Sequence, residues 1–259
     1  MADSAFMQRV LRHDRVLVVS GLLVVVILSW TYLLTGAGMM QAMGDMLMPM
    51  SMGPWTLGHA VLVFAMWAVM MAAMMLPSAA PMILLYSTIA RSKAATGELV
   101  TASGGFMLGY VAVWATFSLA AAALQYVMEQ SALSPPMMET TSAVLAGAVL
   151  IAAGLYQWTP LKQFCLRNCR SPIEFLTAHW RTGVRGAFVM GFRHGAYCVG
   201  CCWLLMLLLF VGGVMNFTWI GGIALFILIE KLAPAGHWIG RGTGVLLMAW
   251  GAATLYSVA

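Results

Sequence analysis

The chain has 259 residues, of which 62% are hydrophobic and 8% charged, with a formal net charge of +5. That leaves too little polar surface to cover a soluble globule of this size, so the bilayer is the solvent for most of the chain. The basic residues flank apolar runs instead of gathering in one patch, which makes them a topology signal and argues against a nucleic-acid partner.

Seven apolar runs follow one another, near 16–34, 57–86, 101–127, 141–159, 187–214, 217–232 and 242–258. Most approach the roughly 20 residues needed to cross the hydrocarbon core. They predict an all-α, polytopic membrane helix bundle of about seven transmembrane helices, with residues 1–259 forming one integral membrane domain. The first run is long enough to span and has no clear small-residue cleavage site after it, so it reads as a membrane helix and not as a cleaved signal. With the N-terminus inside and the C-terminus outside, all 13 Lys and Arg residues fall on or near the cytoplasmic side. The positive-inside rule favours that arrangement, and the expected location is a bacterial inner membrane. The run at 217–232 is the marginal one, and the inner stretch 160–186 is too short to bury a core of its own.

Between the first two runs lies an outer loop carrying Met39, Met40, Met43, Met46, Met48, Met50 and Met52 among glycines and a proline, a composition that predicts a segment without rigid structure. Behind it, His59, Met66, Met70 and Met74 fall within an arc of roughly 80° on the second run, a stripe that leads inward. A buried methionine stripe serves equally well as packing filler. Exposed methionines are costly surface, however, and thioethers are soft neutral donors suited to Cu(I) in a compartment where free thiols would be oxidised. Further along the same run, Pro77 and Pro81 predict either a simple kink or a broken helix lining a cavity.

The third run contains Gly105-Phe-Met-Leu-Gly-Tyr110, echoed on the fifth by Ala187-Phe-Val-Met-Gly-Phe192. Close helix packing through small residues explains the echo as well as duplication does. On the inner side, Cys165 and Cys169 stand four residues apart in a short segment bounded by Pro160 and Pro172, which predicts an interfacial helix with both sulfurs on one side. In a reducing compartment two such cysteines are thiols or metal ligands, or simply packing. The fifth run holds His194, Cys198, Cys201 and Cys202 within an arc of roughly 100°, able to face one interior point. Cysteine packs comfortably in a helix bundle, but Arg193 and His194 beside these thiols are expensive inside a membrane and point to function. Glu230 and Lys231 on the sixth run read as members of a structural ion pair.

The strings Ala73-Met-Met-Leu-Pro-Ser-Ala-Ala-Pro81, Tyr156-Gln-Trp-Thr-Pro-Leu-Lys162, Cys165-Leu-Arg-Asn-Cys-Arg-Ser-Pro172, Gly195-Ala-Tyr-Cys-Val-Gly-Cys-Cys-Trp203 and Glu230-Lys-Leu-Ala-Pro234 resemble those of a bacterial family of predicted metal-binding integral membrane proteins of unknown function. The resemblance covers nearly the whole chain and implies a metal without choosing one.

Three functions of different classes follow. The first is a protein handling metal, Cu(I) or another soft ion, that collects it on the outer methionines and holds or passes it at the His194 and cysteine site. The second is a membrane thiol oxidoreductase pairing Cys198 and Cys201 with a quinone. The third is a non-catalytic subunit or assembly factor of a larger membrane complex. The expected partners are the lipid bilayer, a membrane complex or a soluble metal carrier, and no nucleic acid. The two cysteines of the redox reading lie roughly 12–18 Å into their span at 1.5 Å per residue, a depth that favours metal over exchange with a soluble thiol. Neither a nucleotide loop nor a Ser-His-Asp set is evident, so an enzyme is the less favoured class.

Overall fold

The structure is a computed structural model that describes residues 2–36, 40–43, 46–49, 55–93, 99–131 and 142–257. Ten helices follow in chain order among these residues: α1 (Ala2–Leu34), α2 (Leu57–Lys93), α3 (Leu99–Gln130), α4 (Ala143–Tyr156), α5 (Pro160–Arg170), α6 (Pro172–His179), α7 (Gly183–Leu207), α8 (Leu209–Gly212), α9 (Phe217–Leu232) and α10 (Gly236–Tyr256). The expected all-α architecture holds for all but one short piece. Inside the methionine segment, β1 (Met40–Met43) and β2 (Met46–Pro49) pair antiparallel, with Met40 opposite Pro49 and Met43 opposite Met46. Part of the segment expected to lack rigid structure is therefore paired as two strands. In sequence, Gly44 and Asp45 stand between the strands, residue types that favour turns. Met39, Met50 and Met52 lie outside the described residues, as do the side chains of the hairpin.

Helix ends follow local chemistry. Ser142, Thr159 and Asn216 accept from the backbone N–H groups of Leu145, Lys162 and Trp219 and so cap α4, α5 and α9. Pro160 and Pro172 occupy the first helical positions of α5 and α6, where a missing N–H costs nothing. Pro77 and Pro81 sit inside α2, yet helix runs without interruption from Leu57 to Lys93, so the broken-helix alternative is not what forms.

Three helices are long and apolar enough to cross a membrane, over Leu57–Ala90, Ser103–Gln130 and Gly183–Gly212. Ala143–Tyr156 and Pro160–Arg170 would make a fourth as one span bent by 64°. Among the described residues that is fewer than the seven expected. The 16 residues of α9 reach about 24 Å at 1.5 Å each, short of a hydrocarbon core of about 30 Å. Large apolar side chains such as Leu28, Leu119 and Leu246 point outward from the bundle, while Trp67, Tyr86, Phe106 and Tyr110 fill its centre.

Glycines set the helix contacts. A Cβ on Gly105 would meet Val184 and Ala187, one on Gly109 the backbone of Phe188 and Phe192, and one on Gly195 Tyr110 and Val113. The partner numbers rise together, so α3 and α7 run parallel at close approach, and the echo between their sequences is a packing signature. Gly147 faces Gly251 and Leu255 while Gly154 faces Gly244 and Met248, which makes α4 and α10 antiparallel.

Candidate metal centre

One face of α7 turns His194, Cys198, Cys201 and Cys202 into the bundle, each at most 3% exposed. The arc read from the sequence is thus an interior one. The Cys201 and Cys202 thiols donate to the Cys198 carbonyl at 3.1 and 3.0 Å, which holds both in fixed rotamers along the helix. The Cys198 sulfur meets two groups from different helices. Its Sγ lies 3.1 Å from the Tyr110 hydroxyl on α3 and accepts from the Lys231 ammonium on α9 at 2.9 Å. Lys231 also donates to Ser78 Oγ at 3.0 Å. Ser78 and Tyr110 in turn donate to the Met75 carbonyl, at 2.9 and 3.3 Å, in the proline-containing part of α2.

A short helix completes the sulfur cluster. Cys169 of α5 lies near enough to Cys198 and Cys201 to interact with both, and Cys202 stands beside the same two. Four cysteines from α5 and α7 therefore meet in one place. Cys165, one turn earlier, packs on Gly200, where an added Cβ would come within 2.7 Å of its sulfur. Tyr156 fixes the same spot by donating to the Gly200 carbonyl. Gly200 is glycine because α5 must come this close for Cys169 to reach the thiols of α7.

His194 shares the face without sharing the sulfur contacts. Its ring lies among Tyr110, Phe106 and Phe175 at centroid distances of 5.8, 6.2 and 5.4 Å, and its Nδ1 is buried without a hydrogen-bond partner. Among the described residues no group of three or more His, Cys, Asp and Glu is disposed to hold a metal ion. As arranged, Cys198 meets the Lys231 ammonium, and Cys201 and Cys202 donate to the Cys198 carbonyl instead of turning to a shared central point. The donor chemistry nevertheless suits a soft ion, since four sulfurs converge and no carboxylate takes part.

Two expectations about charge change. Arg193, the neighbouring cation of the sequence reading, is exposed on α7, and the cation that reaches the thiols is Lys231. Glu230 pairs with Lys162 of α5 through both carboxylate oxygens, at 2.7 and 2.9 Å, with both side chains at most 1% exposed, and Lys162 also donates to Gln157. Successive residues on a helix diverge by about 100°, so adjacent Glu230 and Lys231 serve separate sites.

In the N-terminal half of α2, Met66, Met70 and Met74 are fully buried, and Ser78 continues their row one turn beyond Met74. The stripe thus ends at a ligand of the Lys231 ammonium. His59 begins it, stacked on Trp55 at 4.6 Å with its own Nδ1 unpartnered. Beside it runs a polar chain that the sequence reading passed over. Trp55 and Gln125 both donate to Glu129, at 2.7 and 2.9 Å, and Trp67 donates to Gln125 at 2.8 Å.

Residues 64–254 match the model of the PpoB2 family, which is described as a copper chaperone. No curated protein and no solved structure matches the chain.

Proposed function

This chain belongs to the PpoB2 copper chaperone family, and on that premise we propose that it is a multi-pass protein of the bacterial inner membrane that takes up Cu(I) as cargo on its outer face and holds or passes it at the cysteine cluster of α5 and α7. The observation that carries the reading is the contact of Cys198 with the Lys231 ammonium, with Cys169, Cys201 and Cys202 gathered beside Cys198. Thiolates inside a membrane are prohibitively costly without positive charge, and Lys231 supplies one such charge before any metal arrives. An incoming monovalent ion balances a second. Two thiolates then suffice for a soft ion that accepts low coordination, and the remaining thiols stay neutral.

Delivery follows the methionines. The methionine-rich stretch that precedes α2 in sequence, with Met39, Met40, Met43, Met46, Met48, Met50 and Met52, supplies the first thioethers, and His59, Met66, Met70 and Met74 continue inward to Ser78. Cys165 is placed to relay the ion toward the inner face, and His194 is held back as a ligand that enters only if its ring turns.

The seven-span arrangement, N-terminus inside and C-terminus outside, is part of this proposal. It is supported by the parallel run of α3 with α7 and the antiparallel run of α4 with α10, which alternate crossing requires. An oxidoreductase is the weaker reading, because Cys198 and Cys201 are at most 1% exposed and no soluble thiol partner reaches them. The test is elemental analysis of detergent-purified protein, wild type against Cys198, Cys201 and Cys202 all changed to Ser. Copper near one per chain, lost in the variant, is expected; equal copper in both would remove the cluster from the pathway.

A further inference from the structure

The face of α5 turned away from the cysteines lines a second feature that copper handling does not use. Gln163, Leu166, Arg167 and Arg170 recur at three- and four-residue spacing, and with Ser171 and His237 they enclose a cavity of about 450 Å³. Among the described residues, no carboxylate lines it. Arg170 is held in place by donating to the carbonyls of Ala233 and Pro234 at the end of α9. Among the described residues, the Arg167 guanidinium has no hydrogen-bond partner and is free to meet a ligand. Ser171 precedes α6 without capping it through its side chain, so its hydroxyl is also free to turn inward.

We infer that this cavity binds a phosphate group, that of an anionic phospholipid headgroup at the inner membrane surface. Two guanidinium groups on one side of a cavity match a phosphate in shape and charge, and fixing one of them beforehand reduces the ordering cost of binding. The surroundings favour a lipid as the source. Phe164 on α5, Ile173 at the start of α6 and Trp238 on α10 are exposed apolar side chains close in sequence to the lining residues, and Arg241 lies over the rings of Trp158 and Trp238 at 5.6 and 5.2 Å. Aromatic side chains of this kind sit at headgroup depth. A headgroup bound here would steady the helix whose other face presents Cys165 and Cys169.

The experiment uses full-length protein in detergent, titrated with phosphatidylglycerol, with phosphatidylcholine and with inorganic phosphate, the bound ligand being counted by native mass spectrometry. Phosphatidylglycerol is expected to bind about tenfold more tightly than phosphatidylcholine, and Arg167→Gln to weaken it by about tenfold, since one charge-assisted contact is removed. Inorganic phosphate that competes with the lipid supports the phosphate contact; inorganic phosphate that binds while the lipid does not overturns the lipid as the source. Arg170 is left unaltered because it closes the end of α9, and His237→Gln serves as the second variant should Arg167→Gln fold poorly. Retention of phosphatidylglycerol unchanged by either substitution, or no preference between the two lipids, overturns the proposal.

Discussion

Lys231 Nζ lies 2.9 Å from Cys198 Sγ, and this contact ties α9 to the sulfur cluster of α7. An ammonium here is also held by Ser78, so its position does not depend on the thiol alone. If Lys231 provides the charge that makes a thiolate donor tolerable, Lys231→Met should weaken Cu(I) binding by about tenfold or more, since each 1.4 kcal/mol is a factor of ten. Lys231→Arg keeps the charge and should recover part of the loss. Competition with a Cu(I) chelator measures both. Wild-type affinity in the Met variant would show that Lys231 is a packing residue.

Cys169 reaches the cluster from a different helix, so it separates assembly of the site from the fold of α7. Cys169→Ser should lower copper retention while leaving thermal unfolding nearly unchanged, because the residue is only partly buried. Cys165→Ser should slow release and leave the amount bound at equilibrium unaltered. Stopped-flow transfer to an acceptor chelator distinguishes the two effects.

The Lys162–Glu230 pair makes a prediction about stability. Both partners are buried, and removing one leaves an uncompensated charge at a cost of about 3–5 kcal/mol. Lys162→Met alone should therefore sharply lower the unfolding temperature in detergent. Adding Glu230→Met should restore much of it, since a buried pair replaced by apolar groups of similar volume is often neutral. A double variant as unstable as the single one would mean that the pair carries more than mutual compensation.

How much of this was legible in the sequence depends on the range of each interaction. The helical arc of His194, Cys198, Cys201 and Cys202 is fixed by spacing within one helix, and the structure places that arc inside. The pairing of α3 with α7 was marked by its glycines, although the marks could not say which helix each would meet. Lys231 was visible only as a charge, because its partner is 33 positions away and the contact depends on how α9 packs. Tyr110 and Ser78 carried no signal as single polar residues within apolar strings. The hairpin had a local cue in Gly44 and Asp45 that the methionine and glycine composition around it masked. The count of spans was the least legible feature, since 16 apolar residues suit a short crossing helix and a buried one alike.

That ambiguity sets a test of topology. Reporter fusions should place Met1 inside and Ala259 outside if α9 crosses. An inside C-terminus would mean that α9 does not span, which leaves the cysteine cluster intact but turns α10 over relative to α4. The antiparallel contacts of Gly147 with Gly251 and of Gly154 with Gly244 argue against that outcome.

The outer methionines give the last prediction. Replacing Met39, Met40, Met43, Met46, Met48, Met50 and Met52 by Leu keeps bulk and apolarity while removing the sulfur donors. Leucine is also compatible with the two short strands, so the hairpin should persist. If the segment collects copper, uptake at low external Cu(I) should fall several-fold, and the loss should shrink as the ion is raised, because the cysteine cluster downstream is untouched. A defect in folding would behave differently, lowering uptake by the same factor at every concentration. Uptake in reconstituted vesicles, measured across a range of buffered Cu(I), separates the two patterns, and a curve superimposable on the wild type would remove the hairpin from the path.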